Sequence, residues 1–417
     1  MNLEYFIAHR LNKGDKKSKS LSLLIIKITT IAISLSLATM IISVAIVVGF
    51  RKEIQDKLSG FVGHILITSH NVNESYELKP IELDSTVISK ILSTKGVEHV
   101  QVFALKAGLV KHKDIIQGVV FKGVWHDFNW NFFTQYFIKG KKINLDTVPS
   151  SKQIIISKEL ADKLNYKLND NLFAFFIQEP PRFKKYKIYG IYNTGLVDFD
   201  NIYILTDIRQ IQKLNNWDEQ GKFLISGYEV FIKNFKEIDQ ITYKLKRKIA
   251  FGFNPDKPKL KIENLKELYP QIFDWLTLVD MNVIVILTIM IIIATINMTT
   301  GLLIIILEKT NFIGILKALG AKNSSIRKIF IYNSWFILKN GLLLGNGLGL
   351  TLVLIQYVFQ IIPLSPETYY VSYVPVYLNI WHIIALNLGT ILITLLFMIV
   401  PSSIAAKVDP VRAIKFE

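Results

Sequence analysis

The chain has 417 residues, 51% of them hydrophobic, a mean hydropathy of +0.34, a pI near 9.5 and no cysteine, which excludes disulfide scaffolds and thiolate metal sites. Its apolar residues gather into four uncharged stretches, each long enough to cross about 30 Å of hydrocarbon as a helix. A simple soluble enzyme is thereby excluded. The formal charge of +16 (49 Lys+Arg against 33 Asp+Glu) would suggest nucleic acid in a soluble protein, but its placement here fits membrane topology.

In chain order, residues 1–27 carry six basic residues (Arg10, Lys13, Lys16, Lys17, Lys19, Lys27) against Glu4 and Asp15, and read as a cytoplasmic N-terminal segment. Residues 28–50 read as transmembrane helix 1. This run outlasts a signal-peptide core and no small-x-small cleavage site follows it, so it is an uncleaved anchor. Residues 51–275 form a large external domain, sufficient for a core of its own. Its 34 basic and 26 acidic residues do not oppose this, because long loops translocate whatever their charge.

Alternation within that domain predicts strands at His64–Thr68, Gln101–Val110, Ile115–Lys122, Gln153–Ile156, Leu172–Ile177, Lys184–Tyr192, Asn201–Leu205 and Tyr228–Ile232. Helical spacing predicts Ser85–Ser93, Ser157–Leu164, Asp207–Leu214 and Lys236–Lys248. His112-Lys113-Asp114 and Glu179-Pro180-Pro181-Arg182 read as hairpin turns. Arg51–Ser59 continues the first span outward without a breaker. Leu265–Leu276 leads into the second, with Pro270 as a kink or a restart. These two stretches are either continuous helical connectors or ordinary linkers.

Residues 281–307 read as transmembrane helix 2 and 308–328 as a cytoplasmic segment. Residues 329–362 read as transmembrane helix 3, uncharged from Asn340 onward, 380–400 as transmembrane helix 4, and 401–417 as a cytoplasmic tail with Lys407, Arg412 and Lys415. Residues 308–339 hold six basic residues against Glu308, whereas the loop Pro363 to Asn379 holds none, so both termini lie inside. The fold class is an α-helical membrane protein with four transmembrane helices and a mixed α/β domain between the first and second.

No catalytic constellation is visible. The seven histidines show no ligand spacing, and Asp198 and Asp200 fit a strand-to-strand loop better than a carboxylate pair. No Gly-x-Ser-x-Gly elbow occurs, and no Gly-x-x-x-x-Gly-Lys-Ser/Thr phosphate loop, so ATP is not bound in that manner. Gly341, Gly345 and Gly349 recur at every fourth position, with Gly347 beside them, and would let another helix approach closely. Asn297, Thr299 and Thr300 would hydrogen-bond between helices, and Lys339 would snorkel.

The stretch Glu308-Lys309-Thr310-Asn311-Phe312-Ile313-Gly314-Ile315-Leu316-Lys317-Ala318-Leu319-Gly320-Ala321 places Phe312, Ile313, Ile315, Leu316 and Leu319 at helical spacing. Asn311 would cap its start and Gly320 would end it. Too short to span a bilayer, it is either an interfacial helix or one that docks into a protein groove.

This stretch resembles the coupling segment of the FtsX/MacB/Lol-type ABC transporter permeases, the MacB-like or type VII class. Pro401-x-x-x-Ala405-Ala406-x-x-x-Pro410-x-x-Ala413 resembles the family's C-terminal signature. Val48-Gly49-Phe50-Arg51-Lys52-Glu53-Ile54-Gln55 and Ala294-Thr295-Ile296-Asn297 resemble the lipoprotein-releasing members in particular. The resemblance implies a non-catalytic permease of a bacterial inner membrane with a periplasmic domain. It implies a second permease copy or paralogue, a separate cytoplasmic ATPase that binds the ATP, a lipoprotein substrate and a periplasmic carrier, with no cofactor in this chain and no nucleic acid. Glu308, Lys309, Phe312, Ile313, Gly314, Leu316, Leu319 and Gly320 would couple to the ATPase. Val47, Phe50, Met281, Phe359, Tyr369 and Tyr370 would line a substrate cavity, or else meet lipid. Pro180, Pro181, Arg182 and Phe183 sit where relatives carry a carrier-recruiting hairpin, although this one is short. The same fold would also serve an FtsX-like regulator of cell-wall hydrolases or a MacB-like export permease.

Overall fold

The computed structural model describes residues 3–13, 21–70, 77–146, 150–217, 221–250 and 259–406. Helices α1 (Leu3–Lys13) and α2 (Leu21–Val62) open the chain. There follow β1 (Ile65–Ser69), β2 (Ile81–Glu82), α3 (Ser85–Leu92), β3 (Val97–His112), β4 (Ile115–Val124), α4 (Asn131–Tyr136), β5 (Phe137–Gly140), β6 (Gln153–Ser157), α5 (Lys158–Lys163), β7 (Asn171–Phe176), β8 (Arg182–Tyr192), α6 (Val197–Asp200), β9 (Tyr203–Asp207), α7 (Ile208–Leu214), β10 (Leu224–Ile225), β11 (Gly227–Ile232), α8 (Ile238–Leu245) and β12 (Leu260–Asn264). The chain then runs through α9 (Leu265–Leu268), α10 (Pro270–Glu308), α11 (Thr310–Ala318), α12 (Asn323–Phe359), α13 (Pro366–Tyr369) and α14 (Ile380–Ala406).

Two compact units result. One comprises residues 1–52, 275–363 and 373–417, and the other residues 53–274 and 364–372. Four helical stretches, Leu24–Val62, Pro270–Glu308, Asn323–Phe359 and Ile380–Ala405, are long and apolar enough to cross a membrane. In the helical unit, Leu37, Met40, Met298, Leu302, Ile337 and Leu338 share one buried cluster. Helix α1 joins it through Ala8, and Tyr5 lays its ring 5.9 Å from Tyr332 and 5.4 Å from Phe336. The sequence had suggested only a basic segment there; α1 is too short and polar to announce itself by hydropathy. Arg51 pairs with Asp280, and Phe50 meets Trp275 edge-on at 6.2 Å. Between α12 and α14, Asn346 and Asn387 exchange amide hydrogen bonds of 2.8 and 3.0 Å, so each satisfies the other away from water.

The second unit is built on a sheet ordered β12-β1-β11-β3-β4-β9-β6-β8-β5, with β7 pairing with both β3 and β8. Most neighbours are antiparallel; β4–β9 and β6–β8 are parallel. Polar side chains cap the starts of α3, α5, α7 and α9. Asp84 accepts from Thr86 N, Ser157 from Leu160 N and Asp207 from Arg209 N, while Asn264 and Glu267 form a capping box. The two expected hairpins are present, with Lys113 at φ 52° in the first and β7 meeting β8 at Phe176 and Arg182 in the second.

Two details differ from expectation. The predicted helix Lys236–Lys248 is divided into a 3-10 turn (Phe235–Glu237), α8 and a π turn (Lys246–Ala250). The loop holding Asp198 and Asp200 folds into the single turn α6. Of the two outcomes expected at Pro270 the helix restarts: α9 ends at Leu268, and α10 begins at the proline, whose missing N–H costs nothing at that position.

Candidate coupling segment, helix seam and domain neck

Helix α11 follows α10 after the single turn residue Lys309 (φ −98°, ψ 18°), whose N–H still bonds the Ile305 carbonyl and whose own carbonyl accepts from Ile313 N. The chain therefore needs no side-chain cap, and Asn311 lies inside the helix rather than at its start. Gly320 ends the segment at φ +93°, a conformation that favours glycine. Ile313 and Gly314 are buried and Ile313 joins the cluster of the helical unit, whereas Phe312 and Leu316 are half-buried. Ile315 is 53% and Leu319 80% exposed. Only part of the predicted apolar face is thus covered by its own chain. Lys309 pairs with Glu308 at 3.1 Å.

The glycine row of α12 lies along α2. A Cβ on Gly341 would meet Ile33 at 2.8 Å, one on Gly345 the Ser34 carbonyl oxygen at 2.8 Å, and one on Gly349 the Ala38 Cα at 3.1 Å. Gly347 faces open space. Within the helical unit Phe50 is buried, Val47 half-buried, and Met281 and Phe359 exposed. Tyr369 and Tyr370 belong to the other unit. Pro180 and Pro181 form the tip between β7 and β8. Arg182 donates to the Lys213 carbonyl and to Asn216 Oδ1, both at 2.6 Å, and Phe183 is 76% exposed with its ring 4.7 Å from that of Phe175. Pro410 and Ala413, with Lys16, Lys17, Lys19, Lys407, Arg412 and Lys415, lie outside the described residues.

Sequence reading missed a polar knot where the chain passes into and out of the mixed unit. Lys122 on β4 and Glu229 on β11 form an ion pair at 2.5 Å, each side chain 2% exposed. Lys122 also donates to the carbonyl of Phe61 in the last turn of α2. Gln101 donates to Glu229 at 2.7 Å and accepts from Asn129 N at 2.9 Å. Beside it Phe61, Phe199 and Tyr269 touch in series, with centroids 5.0 and 5.5 Å apart. The one available signal was a lysine inside an otherwise apolar strand, Val119-Val120-Phe121-Lys122.

Asp200 holds the turn that carries Phe199. Its carboxylate accepts from Thr194 N at 3.0 Å, Thr194 Oγ1 at 2.8 Å and Gly195 N at 3.1 Å. Burial pushes its pKa up to about 6, and the three donors only partly counter this. Three of the seven histidines are held in structural contacts: His64, held down to about 4 by burial, accepts from Ile232 N, His99 bonds the Asp127 carbonyl, and His112 stacks on Tyr166.

Comparison with known proteins settles the family. The MacB-like periplasmic core domain matches residues 28–247 and the FtsX-like permease C-terminal domain residues 284–410. The chain belongs to the MacB/FtsX-like permease family. Members of this family are permease subunits of ABC transporters and are non-catalytic. Relatives of this chain include the lipoprotein-releasing system transmembrane protein LolC of Buchnera aphidicola subsp. Acyrthosiphon pisum, 25% identical over 95% of this chain and 93% of that one. LolC of Buchnera aphidicola subsp. Schizaphis graminum is 24% identical over 91% and 90%, and LolE of Haemophilus influenzae is 22% identical over 99% of each chain. Among solved structures, the periplasmic region of MacB from Actinobacillus actinomycetemcomitans aligns with 52% of this chain and 95% of its own at 12% identity, with a TM-score of 0.34.

Proposed function

We propose that this chain is the permease subunit of an ABC transporter that lifts lipoproteins from the outer leaflet of the inner membrane and passes them to a periplasmic carrier. The match along at least nine-tenths of both chains to transmembrane proteins of lipoprotein-releasing systems carries the reading. Four helices cross the membrane, with both termini in the cytosol on the basic sides of the bilayer. A separate ATPase binds ATP and receives α11 in a groove, and a second permease copy or paralogue completes the complex.

The geometry of α11 suits this role. Ile313 roots it in the helical unit while Leu319 and Ile315 stand out for a partner. The energetic need for ATP follows from the cargo. Withdrawing an acyl chain from lipid costs about 0.8 kcal/mol per CH2, so a multiply acylated protein needs tens of kcal/mol. Val47, Met281 and Phe359 of the helical unit meet those chains, and the Pro180–Phe183 tip meets the carrier.

Depletion of the protein tests the reading. Outer-membrane lipoproteins should accumulate in the inner membrane. Normal sorting, with failed septal cleavage or lost export instead, would refute it. Leu319→Asp should abolish co-purification of the ATPase while the permease still folds, since Leu319 is the most exposed apolar side chain of the segment.

A further inference from the structure

The last turn of a helix leaves carbonyl oxygens without partners. In α2 that turn lies within the mixed unit, and the Phe61 carbonyl receives the ammonium of Lys122, a cation placed where the helix dipole favours one. Lys122 cannot move freely. Glu229 holds it at 2.5 Å, and Gln101 holds the second carboxylate oxygen of Glu229. The three side chains come from β3, β4 and β11, which are contiguous in the sheet. A cavity of about 210 Å³ adjoins the pair and is lined by Val62 from α2 and by Leu268 and Tyr269, the residues just before α10 restarts. A buried pair of this kind is a poor way to add stability, because desolvation consumes most of the attraction. Its geometry suits fastening.

We propose that Lys122 and Glu229 are positioning residues that clamp the end of α2 to the centre of the sheet, so that displacement of α2 moves the sheet with it. The inference rests on the transport reading above and adds to it the place where helix motion enters the external domain.

The test uses the full complex with its ATPase in proteoliposomes, a triacylated lipoprotein as cargo and the soluble carrier as acceptor. The readout is lipoprotein released per ATP hydrolysed. In the double variant Lys122→Met, Glu229→Met both charges leave together, so no unpaired charge stays buried; Gln101 and the Phe61 carbonyl each lose one partner, so melting should fall modestly while the variant stays folded at the assay temperature. ATP hydrolysis should persist while release per ATP falls about tenfold or more, the factor commanded by one charge-assisted hydrogen bond. Release per ATP within about twofold of wild type, in a variant that stays folded at the assay temperature, overturns the clamp alone. A wild-type complex that releases nothing overturns the transport reading and the clamp with it. Hydrogen exchange on the unaltered complex gives a measurement independent of any variant. The amides of residues 58–62 should exchange slowly with and without ATP, and exchange at the rate of a frayed helix end overturns the clamp.

Discussion

Gly345→Ala and Gly347→Ala should change stability in opposite directions, although the two positions are one residue apart on the same helix. Alanine is favoured over glycine inside a helix by roughly 0.5–1 kcal/mol. At Gly347 nothing lies within reach of the new methyl, so that gain should be realised in full. At Gly345 the methyl would stand 2.8 Å from the Ser34 carbonyl oxygen and 3.0 Å from Leu37 Cβ. The nearer atom is backbone in the middle of a long helix and has no rotamer by which to yield. Overpacking of this kind costs about 1–3 kcal/mol, which outweighs the propensity gain. The two variants should therefore differ by about 2 kcal/mol, or roughly 4–8 °C in melting for a body of this size. Thermal unfolding of the detergent-solubilised protein, followed by circular dichroism at several scan rates, measures it. Equal destabilisation by both variants would refute the packing of α12 on α2.

Two further outcomes follow from the mixed unit. Because burial raises the pKa of Asp200 to about 6, the folded protein holds that proton more tightly than the unfolded chain, whose carboxyl titrates near 4. Asp200 therefore stabilises the fold most at low pH, and its contribution falls by roughly 2 kcal/mol as pH rises from 4 to 6.5. Asp200→Asn should flatten that slope in chemical denaturation at a series of pH values. Asp200→Ala should destabilise at every pH, because the Thr194 and Gly195 donors lose their acceptor. An unchanged slope in the Asn variant would show that another group titrates. At the β7–β8 tip, Phe183→Ser should leave melting within about 0.5 kcal/mol of wild type and weaken carrier binding in a pull-down. Undiminished binding would remove that tip from the docking surface.

Much of this was legible in the chain because two periods speak clearly. The long apolar runs mark the helices of the first unit, and alternation marks the strands that face solvent on one side. What was missed has physical reasons. β2 and β10 are two residues long and β5 four, too short for alternation to register, whereas β12 was missed although it is as long as β1, β6 and β9. The cap assigned to Asn311 failed because α10 delivers the chain already helical, a tertiary fact that local composition does not carry. The glycine row was visible as a pattern, but only the structure names Ile33, Ser34 and Ala38 as its neighbours. Lys122 was hidden by its own chemistry: a lysine in a strand reads as surface until its partners, 61 and 107 residues away, are seen around it.

The two connectors differ in a way that bears on what each transmits. Helix α2 runs for 42 residues without a break, about 60 Å of continuous rod, whereas the returning chain is interrupted between Leu268 and Pro270. An unbroken helix conveys rotation about its own axis as well as thrust along it. The outgoing connector is thus a single helix whose last turn ends on Lys122, whereas the returning one is stitched across its break by the Tyr269 carbonyl, which accepts from Ile272 N and Phe273 N.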